Sequence, residues 1–372
     1  MIKKLNLPII MFIISFACIS LVSIYSASLY TSTSLGNLFL KQIVWYGIGT
    51  VVFLIIIRFK NNFFYEYAWI LYYFGVLLLL LLLLIGTPIN NSKCWFIIPG
   101  IGSIQPSEFV KIFLMIVWAK NIFQFRKIYS TPTLSQEFLF LIKNFVVLLI
   151  PTILTFLQPD TGAVIIYFII FTFMMFFSGI RLRWFLFALL VLLFILGICG
   201  GIYFFNEDLF VKVFGTSIYY RIERLFMWSN GSGLQLENAL ASIGSSGLFG
   251  HGFNKTPIYF PESSTDFIFA VFSSNFGFIG VFVSLLLFFV FDLYIFYILK
   301  KKNNSIGKYI LIGILGMLLF QQIQNIGMTI GLFPITGITL PFISYGGSSL
   351  LSYMIIIGLI TNIFFEKEKK YK

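Results

Sequence analysis

Tyr72-Tyr73-Phe74-Gly75-Val76, then leucine at every position from Leu77 to Leu84, then Ile85: this stretch decides the fold class. It carries no charge, and Trp69, Ile70 and Leu71 extend it on its N-terminal side. A helix needs about 20 apolar residues to cross the hydrocarbon core of a bilayer. Residues 185–198 form a second uncharged run of the same kind. Working outward, the 372-residue chain is 59% hydrophobic and only 10% charged, with a mean hydropathy of +0.98. Soluble domains carry about 25% charge, and no soluble fold buries this much apolar surface. Lipid offers backbone groups no hydrogen-bond partners, so helices are the default spanning element. The sequence therefore predicts an all-α polytopic membrane protein, a single integral membrane domain over residues 1–372.

Hydropathy predicts ten transmembrane helices, at about 8–29, 40–58, 67–86, 108–125, 140–158, 162–180, 184–205, 267–299, 306–330 and 346–365. The eighth is longer than a bilayer requires, so tilt or projection is expected of it. Lys3 and Lys4 precede an apolar run without a small-residue cleavage site, which reads as a retained first helix. Of the 25 basic residues, 18 fall on alternate flanks of the ten spans. The positive-inside rule then places both termini in the cytoplasm, and a large extracellular loop, about 206–266, between helices 7 and 8. The same distribution accounts for the net charge of +12 without nucleic acid.

The outer face carries the polar motifs. Tyr259-Phe260-Pro261-Glu262-Ser263-Ser264-Thr265-Asp266-Phe267-Ile268-Phe269 lies at the seam between a polar segment and an apolar one. Low-dielectric surroundings raise a carboxylate's pKa and suit Asp266 as a proton acceptor. Equally, Ser264, Thr265 or Asp266 fits as an N-cap of the next helix. Glu108 and Lys111, three apart, share a helix face and read as a functional pair or a structural salt bridge. Arg221 and Arg224, also three apart, suit a diphosphate or headgroup snorkelling. Gly244, Gly247, Gly250 and Gly252 permit close backbone approach to a ligand, or form a tight loop. Pro334, Gly337, Pro341, Gly346 and Gly347 break the apolar pattern before the last span, which fits backbone lining a cavity or packed on protein. Three scattered cysteines and a single histidine, His251, disfavour a Cys/His metal site or a Ser-His-Asp triad.

Four motifs then resemble one family in order and over nearly the whole chain: Gln105-Pro106-Ser107-Glu108 with Lys111; Gln158-Pro159-Asp160-Thr161-Gly162; Pro261-Glu262 with Thr265-Asp266-Phe267-Ile268-Phe269; and Leu340-Pro341-Phe342-Ile343-Ser344-Tyr345-Gly346-Gly347-Ser348-Ser349. The chain resembles the SEDS family (RodA, FtsW, SpoVE), membrane glycosyltransferases of bacterial cell-wall synthesis, with Asn325 to Gly331 and short tails more like RodA. The resemblance implies ten transmembrane helices in the bacterial cytoplasmic membrane and polymerisation of lipid II into glycan strands. It implies that Asp266 is the catalytic carboxylate, that a divalent cation (Mg²⁺ or Mn²⁺) is required, and that the partners are a class B penicillin-binding protein and other elongation or division proteins. Glu108, Lys111, Asp160, Arg221, Arg224, Glu262, Thr265 and Ser344 are the expected substrate-binding residues, with Glu108 and Asp160 alternatively holding the bundle together. Metal ligands are not assigned.

Two departures stand out. Ser274 and Asn275 occupy about the place of an acidic pair usual in the family, and Cys94 precedes Trp95 where a basic residue is common. Two rival readings are a lipid II flippase and a silent scaffold, including a division- or sporulation-specific one, that recruits a transpeptidase. A flippase needs a polar path through the bilayer, and the sequence places few ionisable residues at mid-span and no inverted repeat. The Ser274-Asn275 departure alone favours a scaffold.

Overall fold

The structure is a computed structural model and describes residues 6–28, 38–88, 92–98, 102–216, 219, 222, 223, 228, 233–303 and 305–366. Each of the ten expected spans is a helix: α1 (Leu7–Ser28), α2 (Leu38–Arg58), α4 (Ala68–Ile85), α5 (Ser107–Ile128), α6 (Leu134–Leu157), α7 (Thr161–Phe176), α8 (Arg183–Phe205), α11 (Ile268–Lys300), α12 (Ile306–Thr329) and α13 (Gly347–Phe365). Short helices α3 (Asn61–Glu66), α9 (Glu207–Phe214) and α10 (Leu234–Gly244) lie between them, the last two in the large outer segment. A two-stranded hairpin in the first outer loop, β1 (Phe96–Ile98) against β2 (Gly102–Ile104), pairs Phe96 with Ile104.

Eight of the ten are long and apolar enough to cross a membrane by themselves. The other two are the short α7 and the more polar α5. α7 is apolar and falls short only in length, whereas α5 is an interior helix buried along most of its length. A helix wrapped by other helices meets no lipid and needs no uniformly apolar surface. α12 and α13 are likewise buried on nearly every face. They form the centre of the bundle, with α5 and α7 on α12 and α2 on α13. At the other extreme, α8 buries none of its residues and presents an all-apolar surface outward.

Between helices in lipid, close packing and interhelical hydrogen bonds replace the hydrophobic drive. The Asn121 amide donates to Asn144 Oδ1 at 2.8 Å, joining α5 to α6, and Tyr72 Oη donates to the Val147 carbonyl at 3.0 Å, joining α4 to α6. α6 starts six residues before the expected 140 because Thr133 caps it: Thr133 accepts from Gln136 N, and the Gln136 side chain accepts from Thr133 N.

The eighth span departs from expectation. Its length reflects a break, since α11 is two helices joined at Gly277, whose φ of 60° and ψ of −160° lie in a region open essentially only to glycine. The loop 247–252 closes the break. His251 N and Gly252 N donate to the Ser274 and Asn275 carbonyls, and Phe278 N and Ile279 N donate to the Gly247 and Leu248 carbonyls. A Cβ on Gly277 would lie 2.3 Å from Gly250 N, and one on Gly250 would lie 2.3 Å from the Asn275 carbonyl oxygen. Of the glycines between 244 and 252, Gly250 thus makes a close backbone approach, to the chain's own broken helix, while Gly244 and Gly247 face open space.

Candidate functional site

A cavity of about 410 Å³ lies beside the segment that leads into α11. Glu108, Asp160, Glu262, Thr265 and Asp266 all line it, together with Cys94, Trp95, Gln105, Gln321, Tyr345, the 336–339 backbone and the 346–349 turn. Residues far apart in sequence meet there because three connections fold inward: the hairpin before α5, the turn before α7, and the irregular segment between α12 and α13.

The seam segment is held from two sides. Asn325, on α12, donates to the carbonyls of Asp266 and Ile338, each at 2.8 Å. Ser344 Oγ donates to the Thr265 carbonyl at 2.7 Å, and Tyr345 N donates to the Ser264 carbonyl at 2.9 Å. These bonds fix the backbone of 264–266 and leave the Asp266 carboxylate directed at the cavity. The residue that caps α11 is Phe267, with no side-chain cap bond, so neither Ser264, Thr265 nor Asp266 performs the capping role that the sequence allowed. Asp266 is half-buried, and its Oδ2 faces Gly337, where even an added Cβ would stand 3.8 Å away. Burial first, and the nearby Glu262 charge second, push its carboxyl up to about 7. Glu262 is more exposed and accepts from Thr265 Oγ1 at 2.6 Å.

The remaining described candidates each bond within the chain. Asp160 caps α7 through Ala163 N at 3.0 Å and accepts from Gln105 Nε2 at 2.7 Å and Ser107 Oγ at 2.9 Å, tying the start of α7 to the start of α5. Burial raises its pKa in spite of these three donors. Lys111 is 1% exposed. Its ammonium lies 2.5 Å from Glu108 Oε2 and 4.9 Å from the Tyr353 ring centre, and Ser352 Oγ donates to the same Glu108 oxygen at 3.0 Å. Such a pair is strongly disrupted when one member is removed. Ser344 Oγ, besides its bond to Thr265, accepts from Leu340 N at 2.9 Å. Arg221 and Arg224 lie outside the described residues.

The two departures are structural here. Asn275 is fully buried, accepting from Thr256 Oγ1 and donating to Ser26 Oγ at 2.7 Å, and Ser274 contacts the His251 ring. Both sit beside the Gly277 break. Cys94 donates to the Gln158 carbonyl at 2.9 Å, and burial pushes its thiol up to about 12. Sequence reasoning missed Gln321, whose carboxamide borders the cavity although it lies in a helix that reads as an ordinary span. Among the described residues no three His, Cys, Asp or Glu side chains converge as a metal site. The described residues therefore do not form a preformed cage for the divalent cation.

The comparisons agree with this architecture. The family model described as "Cell cycle protein", covering FtsW, RodA and SpoVE, matches residues 6–369. The "Probable peptidoglycan glycosyltransferase FtsW" of Bacillus subtilis (strain 168) is 34% identical over 98% of this chain and 91% of its own length. The "Peptidoglycan glycosyltransferase RodA" of Treponema pallidum (strain Nichols) is 30% identical over 87% of this chain and 89% of its own. A solved structure described as "Structural coordination of polymerization and crosslinking by a peptidoglycan synthase complex" superimposes with a TM-score of 0.78 at 24% identity, over 96% of this chain and 97% of the other, a likeness of fold. Relatives with FtsW names and with RodA names match to a similar degree.

Proposed function

The chain belongs to the FtsW, RodA and SpoVE family of cell cycle proteins and is a multi-pass peptidoglycan glycosyltransferase of the bacterial cytoplasmic membrane, and from that premise we propose that it polymerises lipid II on the outer face with Asp266 as proton acceptor. The observation that carries the assignment is the Asp266 carboxyl: directed into the cavity, held by its backbone and not by its side chain, and shifted to about 7. A general base works best with a pKa near the operating pH. Of the four cavity carboxylates, Asp160 and Glu108 are bound by buried donors from the chain, and Glu262 accepts from Thr265.

In the proposed step the 4-hydroxyl oxygen of the acceptor sugar attacks the anomeric carbon of the donor. The new C–O bond forms as the bond to undecaprenyl diphosphate breaks, and that leaving group departs with the electron pair. The hydroxyl proton passes to Asp266. Glu108 and Asp160 keep α5, α7 and α13 in register around the cavity. Lys111, buried against Glu108 and Tyr353, supports Glu108 and does not contact the leaving group. Arg221 and Arg224 are the proposed diphosphate contacts, on their spacing and charge alone. A class B penicillin-binding protein as transpeptidase partner is part of the same proposal, supported by the fold shared with a chain from a peptidoglycan synthase complex.

The reading is tested with the purified chain in liposomes, with and without such a partner. Lipid II is expected to give glycan strands and undecaprenyl diphosphate in equal turnover. Movement of lipid II across the bilayer with no strand formed would assign the cavity to transport instead.

A further inference from the structure

One side chain of the cavity wall has polar atoms that close no hydrogen bond of normal geometry. Gln321, on α12, is 0% exposed, and neither its Nε2 nor its Oε1 has a hydrogen-bond partner. The Tyr353 hydroxyl of α13 lies beside Gln321 and Thr339, and it too closes no hydrogen bond of normal geometry. Each unsatisfied buried group carries a desolvation cost that an apolar side chain of similar shape would avoid. In a native structure such groups need an explanation; Gln321 lines the cavity that Asp266 also lines, and the Tyr353 hydroxyl lies beside Gln321, outside that lining.

The charge of the wall says what kind of group they await. Four carboxylates line the cavity, of which Glu108 is paired with the Lys111 ammonium, and no lysine or arginine itself lines it among the described residues. A wall of that sign disfavours a diphosphate. The other polar lining is neutral, from Ser103, Thr336, Thr339, Ser348 and Ser349. A carboxamide whose donor and acceptor close no well-formed bond in the chain suits a neutral ligand that bears both functions, as the hydroxyl and acetamido groups of an N-acetylated sugar do.

We infer that Gln321, with Tyr353, is a substrate-positioning residue that holds a neutral N-acetylated sugar in this cavity, while the diphosphate lies outside it. This deepens the function proposed above and rests on it. Asp266 takes the proton, and Gln321 and Tyr353 settle which face of the sugar is presented. A site built to pair a polar group discriminates against ligands lacking it far more strongly than an apolar pocket does.

The test uses the full-length chain in detergent or liposomes, as Gln321→Leu and Tyr353→Phe. Gln321→Leu removes two unpartnered buried groups and keeps an apolar side chain of similar size; Tyr353→Phe removes only the hydroxyl and keeps the ring beneath Lys111. The expected result is a KM for lipid II raised about tenfold in each, with Tm unchanged or higher. N,N′-diacetylchitobiose should inhibit the wild type competitively and lose about tenfold in potency in both variants. Inhibition by inorganic pyrophosphate should be the same in all three. An unchanged KM in both variants, a Tm that falls together with activity, or equal loss of sugar and pyrophosphate inhibition overturns the assignment. A wild-type chain that makes no strands would instead remove the functional reading beneath it, so the two failures are distinguishable.

Discussion

Asp266 makes a quantitative demand on the pH profile of polymerisation. The base must be ionised to accept the hydroxyl proton. Its carboxyl is raised to about 7 by burial and by the Glu262 charge. At that pKa it is roughly one-tenth ionised at pH 6 and roughly nine-tenths at pH 8, so the initial rate should rise about tenfold between them. An aspartate at its ordinary value, about 4, would be ionised at both and give a flat profile over this range. The assay is strand formation from saturating lipid II in liposomes between pH 5.5 and 8.5, with enzyme integrity checked at each point by return to pH 8. Glu262→Gln removes the smaller cause of the shift, so the acid limb should move to lower pH without disappearing. The same shift has a consequence for stability. Between about 4 and about 7 the unfolded chain releases this proton and the native chain keeps it, so native stability falls as pH rises through that window. Asp266→Asn should therefore raise Tm at pH 8 and leave it unchanged at pH 4. A flat rate profile, or a limb that moves upward in Glu262→Gln, would refute the reasoning.

Other expectations concern the scaffold. Gly277→Ala and Gly250→Ala each place a Cβ 2.3 Å from backbone at a positive φ. Each should cost more than about 3 kcal/mol, visible as a large Tm drop or loss of monodisperse protein by size-exclusion chromatography in detergent. Glu108→Ala strands the buried Lys111 ammonium and should cost roughly 3–5 kcal/mol, whereas Glu108→Gln with Lys111→Met should recover most of the lost Tm; no recovery would mean that the pair acts through more than its charges. For topology, a cysteine at the exposed Ser245 should react with an impermeant thiol reagent on intact protoplasts, and one at Asn303 should not.

How far the sequence could be read varies along the chain. The ten spans were legible because lipid imposes length and apolarity on any helix that meets it, and the lysines and arginines mark alternate flanks. The interior helix α5 was legible despite its polarity, through its motif and flanking charge. The Gly277 break was not. A glycine inside an apolar run looks like an ordinary helical residue, and its φ is demanded only by the loop 247–252, some 25 residues earlier in the chain. For the same reason the glycines of that loop pointed equally to a ligand and to a turn. The sequence left Asp266 balanced between base and cap; the structure removes the cap, with the backbone held by Asn325 and Ser344, both more than 50 residues away. The sequence left Asp160 between a substrate role and a role in the bundle; the structure shows it capping α7 while it lines the cavity. Gln321 gave no signal, because neither burial nor the want of a partner can be seen in a helical polar residue.

The measurement closest to the central claim is strand formation from lipid II by purified Asp266→Asn beside the wild type, with Tm and lipid II binding recorded on the same preparations. Loss of a general base typically costs about 10²–10⁴-fold in rate. The account predicts a loss in that range with lipid II still bound and Tm at neutral pH no lower than wild type. Polymerisation by the Asn variant at a near wild-type rate would contradict it.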